Sequence, residues 1–337
     1  MYKGILTGLG GRGLHWIDHV RKRDDIDMVA YVEPMEANRE RAVQRKNIPA
    51  DRIFTSLDEA IANVQADFVL DVTPPKVHHI VAQKAFDAGL HVIGEKPLSD
   101  DYAIARQVAD AGEKAGVKHM ITQNYRFGPQ PRTSRQVLKD GIIGKPGQCD
   151  IQFFMPWADS PGSHYVTEPY MLINDMMVHH FDLMRYVLDQ NPESVQAITW
   201  NQPWGWHAGD AAHSIVFRFA DGLVATHVSL ACAVGQQTSW NGDWHIQGPN
   251  GSLEWDKDGT WHSHLHRTEN KVDRQQIEHV NVPPGEQAML DEFFASISEN
   301  REPECSARDN LQSLAMVFAS IQSAKEGRKI ELAELNG

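Results

Sequence analysis

The chain is poor in cysteine, in basic charge and in long apolar runs, and each shortage removes a class of function. The three cysteines, Cys149, Cys232 and Cys305, lie far apart in 337 residues. That spacing argues against a disulfide framework or a cysteine metal knuckle and suits a reducing cytoplasm. Lys and Arg number 32 against 45 Asp and Glu, a formal charge of −13. An acidic chain without a basic run is repelled by phosphate backbones and anionic lipid, so neither nucleic acid nor membrane is an expected partner. The apolar stretches are strand-sized, well short of the roughly 20 residues of a bilayer span. Residues Met1 to Leu6 enter a strand pattern directly, without the zones of a secretory leader. Repeats and low-complexity segments are also missing.

What is present divides the chain in two. Its length exceeds the roughly 250–300 residues at which single cores stop growing. Residues 1–123 alternate strand and helix patterns. Strands are expected at 4–9, 27–32, 67–72, 90–94 and 118–123, and helices at 14–22, 36–45, 57–63, 76–88 and 99–115, the last capped by Ser99 and stopped by Gly116. Such alternation with short loops predicts a doubly wound parallel sheet. Residues 124–337 read differently. Helices are expected at 131–139 and 172–188, and strands at 147–154, 194–200, 212–219, 223–230, 244–247, 251–255, 260–265 and 276–282. Helices over 285–300 and 308–325 then close the chain. That order predicts an α+β domain with a large, mostly antiparallel open sheet, helices covering one face, and a C-terminal helix able to return to the first domain.

Three clusters carry chemistry. Gly8, Gly10 and Gly13 fit G-x-G-x-x-G between a predicted strand and a predicted helix, in the segment Gly8-Leu9-Gly10-Gly11-Arg12-Gly13. Gly8 permits the tight turn, Gly10 lets backbone approach a pyrophosphate, and Gly13 lets the helix pack close to the strand. The helix N-terminus turns free N–H groups toward that pyrophosphate. Glu33 stands 20 residues beyond Gly13, where a carboxylate accepts from the adenosine ribose hydroxyls and repels the extra phosphate of NADP. A glycine-rich surface turn followed by a solvated acid would lack this strand–loop–helix–strand–acid order. The expected cofactor is therefore NAD on a Rossmann-type domain.

The second cluster, Gly94-Glu95-Lys96-Pro97-Leu98, follows the strand at 90–94. Ligands of open parallel sheets bind at the carboxyl ends of strands, where Lys96 could hydrogen-bond a substrate hydroxyl. On spacing alone, a solvated loop lysine is the commoner case. Pro97 is a candidate for a cis bond. The third cluster is Asp175-Met176-Met177-Val178-His179-His180-Phe181-Asp182. Asp175 and His179, four apart, share a helix face, and a carboxylate beside a histidine selects its tautomer for acid–base work. A solvated ion pair fits poorly among so many apolar neighbours. A metal is not expected either, because the histidines are adjacent and the usual ligand set is missing.

With these residues in order, the chain resembles the Gfo/Idh/MocA oxidoreductases, the family of glucose–fructose oxidoreductase and inositol 2-dehydrogenase. The resemblance rests on the glycine loop, Thr73-Pro74 with His78, Ala88-Gly89-Leu90-His91-Val92 leading into Glu95-Lys96-Pro97-Leu98, Asn124-Tyr125-Arg126-Phe127, and Asp175-x-x-x-His179 continuing as His180-Phe181-Asp182-Leu183. It implies that Gly8, Gly10, Gly11, Arg12, Gly13 and Glu33 hold NAD, with Glu95 and Pro97 shaping the cofactor loop. Thr73, Pro74 and His78 would line the nicotinamide side. Lys96 would be the catalytic lysine, touching nicotinamide ribose and substrate hydroxyl, and His179, with Asp175, would take the hydroxyl proton. Asn124, Arg126 and His180 would complete the substrate contacts. Family members work mostly on sugars, polyols and derivatives, and often pair through their sheets as dimers or tetramers.

The resemblance leaves three readings open: a dehydrogenase of a sugar or polyol, a redox-neutral lyase, glycoside-cleaving enzyme or epimerase that retains NAD, and a non-catalytic NAD- or sugar-sensing protein. Two departures fall near the expected substrate mouth, Pro75 after Thr-Pro and Tyr170-Met171-Leu172-Ile173-Asn174 in place of a glycine-rich approach. The Trp-rich stretches 200–207 and 240–244 either stack on sugar rings or pack at a subunit interface. The alternating run Trp261 to His266 reads as a half-exposed strand rather than a metal tract.

Overall fold

The computed structural model describes residues 1–157, 164–266, 269–283 and 285–336. It divides into two compact units, Met1–Gln123 with Glu286–Leu314, and Asn124–Gly285 with Ala315–Gly337. No helix among the described residues is long and apolar enough to cross a membrane.

The first unit runs β1 (Tyr2–Thr7), α1 (Gly11–Val20), β2 (Ile26–Val32), α2 (Glu36–Lys46), β3 (Ile53–Phe54), α3 (Leu57–Asn63), β4 (Phe68–Asp71), α4 (Pro75–Asp87), β5 (His91–Gly94), α5 (Tyr102–Ala115) and β6 (His119–Ile121). Its strands pair in parallel in the order β3-β2-β1-β4-β5-β6. The order reverses between β1 and β4, which opens a crevice at the carboxyl end of β1. Phe68, Val69, Leu70, Val92 and Ile93 are buried on a sheet covered from both faces, as continuous apolar runs require.

Two predicted caps are settled locally. Gly116 takes the left-handed conformation (φ 69°) that ends α5, but Asp101, not Ser99, caps its start. The Asp101 side chain accepts from the Ile104 amide at 2.9 Å, while Ser99 Oγ accepts from the Asp101 amide at 3.1 Å. The short β3 has too few residues for a periodic signal and was not predicted. α9 (Gly285–Ser298) brings Phe293 and Phe294 against Phe68 and stacks Phe294 on Tyr2 at 4.3 Å.

The second unit contains α6 (Pro129–Lys139), β7 (Gln148–Phe154), α7 (Met171–Asp175), α8 (Met177–Leu188), β8 (Ser194–Trp200), β9 (Ala212–Arg218), β10 (Val224–Leu230), β11 (Asp243–Gly248), β12 (Gly251–Asp256), β13 (Gly259–His266), β14 (Lys271–Gln276) and β15 (Ile330–Glu331). Among the described residues these form one sheet in the order β14-β13-β12-β11-β7-β10-β9-β8-β15, antiparallel except where β7 and β10 run parallel. α10 (Ala307–Glu326) belongs to the first unit through Leu314 and to the second from Ala315. The strand expected at 276–282 lies earlier, as β14, and pairs with β13 from Trp261↔Gln276 to His266↔Lys271. The run 261–266 is a strand, as its period of two requires.

The helix expected at 172–188 is interrupted at Met176 (φ −99°). Its first turn is tied to the preceding loop. Asn174 donates to Glu168 and to the Pro169 carbonyl, and Asp175 accepts from Tyr165. α8 is buried along its whole length, with Phe181 packed edge-on to Phe217 of the sheet at 4.9 Å.

Polar side chains also cross that helix–sheet interface. His180 Nε2 lies 3.1 Å from the Trp240 carbonyl and must donate to it, leaving Nδ1 to accept from His227 Nε2 at 3.1 Å. His227 Nδ1 in turn accepts from His213 Nε2 at 3.1 Å. Neutral rings satisfy the chain with one tautomer throughout. Burial pushes His180 and His213 down to about 3 and His227 well below its usual value.

In the unfolded chain these rings titrate near pH 6.5, so unfolding takes up protons below that pH. Their contribution to stability is fully present above about pH 6.5 and is lost as pH falls, at roughly 1 kcal/mol per pH unit per ring. Urea unfolding midpoints should therefore drop between pH 6.5 and 5.5, before carboxylates titrate. A midpoint that stays flat across that window would contradict the neutral chain.

Candidate functional site

The glycine loop leaves β1 at the sheet's reversal point. Gly8 has φ 89°, and a Cβ there would stand 2.5 Å from the Val72 carbonyl oxygen. A Cβ on Gly13 would stand 1.9 Å from the Gly8 carbonyl oxygen, so α1 packs on β1 only with glycine at that position. At Gly10 and Gly11 a Cβ would meet nothing within 4 Å, which is the open approach that a pyrophosphate needs. Gly10 caps α1 without a side-chain hydrogen bond, leaving its first-turn amides for a ligand. Glu33, just past β2, is buried and accepts from the Leu9 and Met35 amides, each at 2.9 Å. Each of its oxygens keeps acceptor capacity for a ribose hydroxyl. These groups fit a dinucleotide.

Glu95 sits at the end of β5. One carboxylate oxygen accepts from Arg12 Nε and Trp16 Nε1, both at 2.6 Å, and the other from the Thr122 hydroxyl at 3.0 Å. It thereby ties α1 to the ends of β5 and β6. Neither Trp16 nor Thr122 stands out in the sequence, because only the fold brings them to Glu95. Nearby, buried Asp71 accepts from Thr7 and from the amide and hydroxyl of Thr73. Thr73 and Pro74 lead into α4. From α4, His78 places its ring nitrogens 2.9 Å from the Pro97 carbonyl and 2.7 Å from the Thr73 carbonyl, bridging the two loops. The Lys96–Pro97 bond is cis. Lys96 itself is half-buried.

In the second unit, Asn124 and Arg126 lie on a 3-10 turn, Asn124–Phe127. The Arg126 guanidinium is buried against Asp182, with Nε donating at 2.7 Å, and lies over the Tyr186 ring. His179 is buried and stacks on Tyr125 with ring centroids 4.5 Å apart. Burial, then the Asp175 carboxylate, pushes the Tyr125 hydroxyl up. Tyr165 donates to Asp175 at 2.9 Å. Tyr125 and Tyr165 thus surround the expected acid–base pair. Tyr125 lies inside a quoted motif, whereas nothing in the sequence marks Tyr165. His180 has both ring nitrogens engaged inside the unit and is fully buried, so any influence on a substrate passes through its neighbours. Tyr170, in the segment that departs from the glycine-rich pattern, takes φ 55°, a conformation glycine adopts more readily.

The aromatic stretches part company. Trp244 and Trp255 are buried and pack together at 4.3 Å in the core. Trp204 and Trp240 stay exposed. The Trp204 indole donates to the Cys232 carbonyl, and Trp206 stacks on His207. All three cysteines are buried, and none forms a disulfide.

The first unit thus has the order and loop chemistry of a dinucleotide-binding oxidoreductase domain. The family description "Oxidoreductase family, NAD-binding Rossmann fold" matches residues 4–123, and "GFO/IDH/MocA C-terminal domain" matches residues 132–254. The chain belongs to the Gfo/Idh/MocA family of NAD-binding oxidoreductases. It is 25% identical to a D-apiose dehydrogenase of Paraburkholderia graminis, over 99% of this chain and 90% of that protein. It is 31% identical to an inositol 2-dehydrogenase of an Arthrobacter species, over 63% of this chain and 62% of that protein. Its fold matches an oxidoreductase from Agrobacterium radiobacter, solved in complex with NAD+, L-tartaric acid and magnesium, at TM-score 0.87 and 18% identity over 99% of both chains.

Gly13→Ala should abolish NAD binding, read by fluorescence titration, because its methyl group has no room against the Gly8 carbonyl. Glu95→Gln should destabilise the fold by about 1–3 kcal/mol in urea unfolding, the usual cost of leaving buried donors poorly paired. A wild-type midpoint would show that Glu95 does not hold α1 to the sheet.

Proposed function

We propose that the protein is an NAD-dependent dehydrogenase acting on a secondary hydroxyl, or the corresponding ketone, of a sugar, polyol or sugar derivative. One observation carries this reading. The glycine loop opens α1 at the reversal of the sheet, with Glu33 past the next strand and Glu95-Lys96-Pro97 at the end of β5. The named activities of the apiose and inositol dehydrogenases support the substrate class.

Bound NAD supplies the hydride acceptor. The amides opening α1 and the Gly10–Gly11 surface hold its pyrophosphate, Glu33 its adenosine ribose, and the Thr73–Pro74 and Pro97 loops, braced by His78, its nicotinamide side. Lys96 binds the nicotinamide ribose and orients the substrate hydroxyl. His179 takes the hydroxyl proton, and Asp175 selects its tautomer. Asn124 orients the substrate. The exposed Ile198 and Trp200 on the outer sheet face are consistent with pairing of copies through that sheet.

Lys96→Ala should lower kcat by about 100-fold or more, the usual share of a positioned acid–base group, while NAD still binds. Near-normal turnover would remove Lys96 from the chemistry. Substrate is found by following NADH absorbance across sugars, inositols, sugar acids and glycosides, with product analysis alongside. Product without NADH would replace the dehydrogenase reading with a redox-neutral one. Glu33→Gln keeps much of the amide cradle but removes the charge, and should shift the NAD-to-NADP preference by about tenfold, or ~1.4 kcal/mol. Unchanged selectivity would place the discrimination elsewhere.

A further inference from the structure

A cluster in the first unit plays no part in that chemistry. His15 and His19 stand four apart on α1 and so share a face. Their Nε2 atoms are 3.0 Å apart, and the rings meet at 60° with centroids 4.4 Å apart. Glu286, in the first turn of α9, brings Oε1 to 3.7 Å from His15 Nε2. The three ligand atoms all lie within 4.8 Å of one another. His15 is exposed, while His19 and Glu286 are half-buried, so the group is both held and reachable from solvent.

We propose that His15, His19 and Glu286 form a binding site for a divalent transition metal ion. Ligands bound at about 2.0–2.1 Å to one ion sit roughly 3.0–3.4 Å apart at tetrahedral or octahedral angles. The nitrogen pair already meets that spacing, and the carboxylate needs only a small side-chain rotation to join it. Two imidazoles and one carboxylate suit Zn²⁺, Co²⁺, Ni²⁺ or Cu²⁺, whereas Mg²⁺ and Ca²⁺ prefer all-oxygen shells. The same donor set leaves an open coordination position in many zinc sites.

Arg12 lies between two carboxylates, 2.6 Å from Glu95 and 3.6 Å from Glu286, so the nearer one neutralises it and Glu286 remains available. A bound ion would cross-link α1 to α9 within the unit. His19 Nδ1 is buried without a hydrogen-bond partner. The site therefore lacks the outer clamp that tightens structural zinc, and exchangeable binding is expected.

The test uses the full chain without a purification tag, stripped by chelator and titrated with Co²⁺. A visible d–d band should saturate at one equivalent per chain and be displaced by Zn²⁺. His15→Ala, at an exposed position, should weaken Co²⁺ binding by at least about tenfold, since loss of a ligand costs no less than loss of its outer partner. His19→Gln should do the same, with circular dichroism and NAD titration checking that each variant is folded. Absence of saturable binding in the wild type would overturn the proposal and leave a histidine–histidine hydrogen bond. Equal binding in wild type and His15→Ala would also overturn it.

Discussion

The buried carboxylate of Glu95 fastens the first unit together. A parallel sheet ends in loops, and loops that leave adjacent strands have no backbone ladder to align them. Glu95 supplies the alignment with one side chain that accepts from α1 twice and from Thr122 after β6 once. Two of these donors are neutral and one is a cation, so the desolvated charge is both paired and hydrogen-bonded, the condition under which burial is tolerated. Because Arg12 and Trp16 flank Gly13, the same carboxylate sets the distance between the glycine loop and the end of β5. The spacing of the glycine loop and the Glu95-Lys96-Pro97 loop thus depends on a residue whose neighbours in sequence, Lys96 and Pro97, draw the eye first.

The second unit solves a related problem with a chain of neutral histidines and one buried ion pair. α8 must lie against a broad sheet while presenting His179 in a defined orientation. Apolar packing alone permits sliding, since one aliphatic contact replaces another at little cost. The chain His180–His227–His213 and the Arg126–Asp182 pair do not slide, because a displaced partner would leave a buried polar group unsatisfied. Breaking a buried ion pair of this kind costs about 3–5 kcal/mol. His179 next to His180, and Asn124 near Arg126, inherit their positions from these locks. Of the motif residues, Arg126 and His180 both have buried hydrogen-bond partners inside the unit, which no linear reading shows.

Much of the fold was legible in the residue pattern. α3 and β8 match their predicted bounds, and most other elements end within one to three residues of them. The glycine loop was legible residue by residue, because Gly8 and Gly13 answer steric demands of the flanking strand and helix, and Gly10 and Gly11 leave the surface open. The misses have physical causes. β3 and β15 are too short to show a period. β14 carries a single apolar residue, Val272, among charged and polar ones, so the apolar Ile277, Val280 and Val282 drew the expected strand downstream. The break at Met176 follows from side chains captured by a loop that no local pattern connects to the helix.

The residues themselves determined the cofactor loop, the alternation that makes a parallel sheet, the acid placed after the second strand and the family to which the chain belongs. Those properties depend on neighbours in sequence, and steric and hydrogen-bonding rules act on neighbours directly. Tertiary structure decided which polar side chains pair with one another inside the fold. It joined Glu95 to Trp16 and Thr122, sealed His180 among histidines, set Tyr125 and Tyr165 around the expected acid–base residues, and brought Glu286 to His15 and His19. Each of these pairings is made across tens to hundreds of residues or across a break in a helix. A buried polar atom takes whichever partner the packed fold puts within reach.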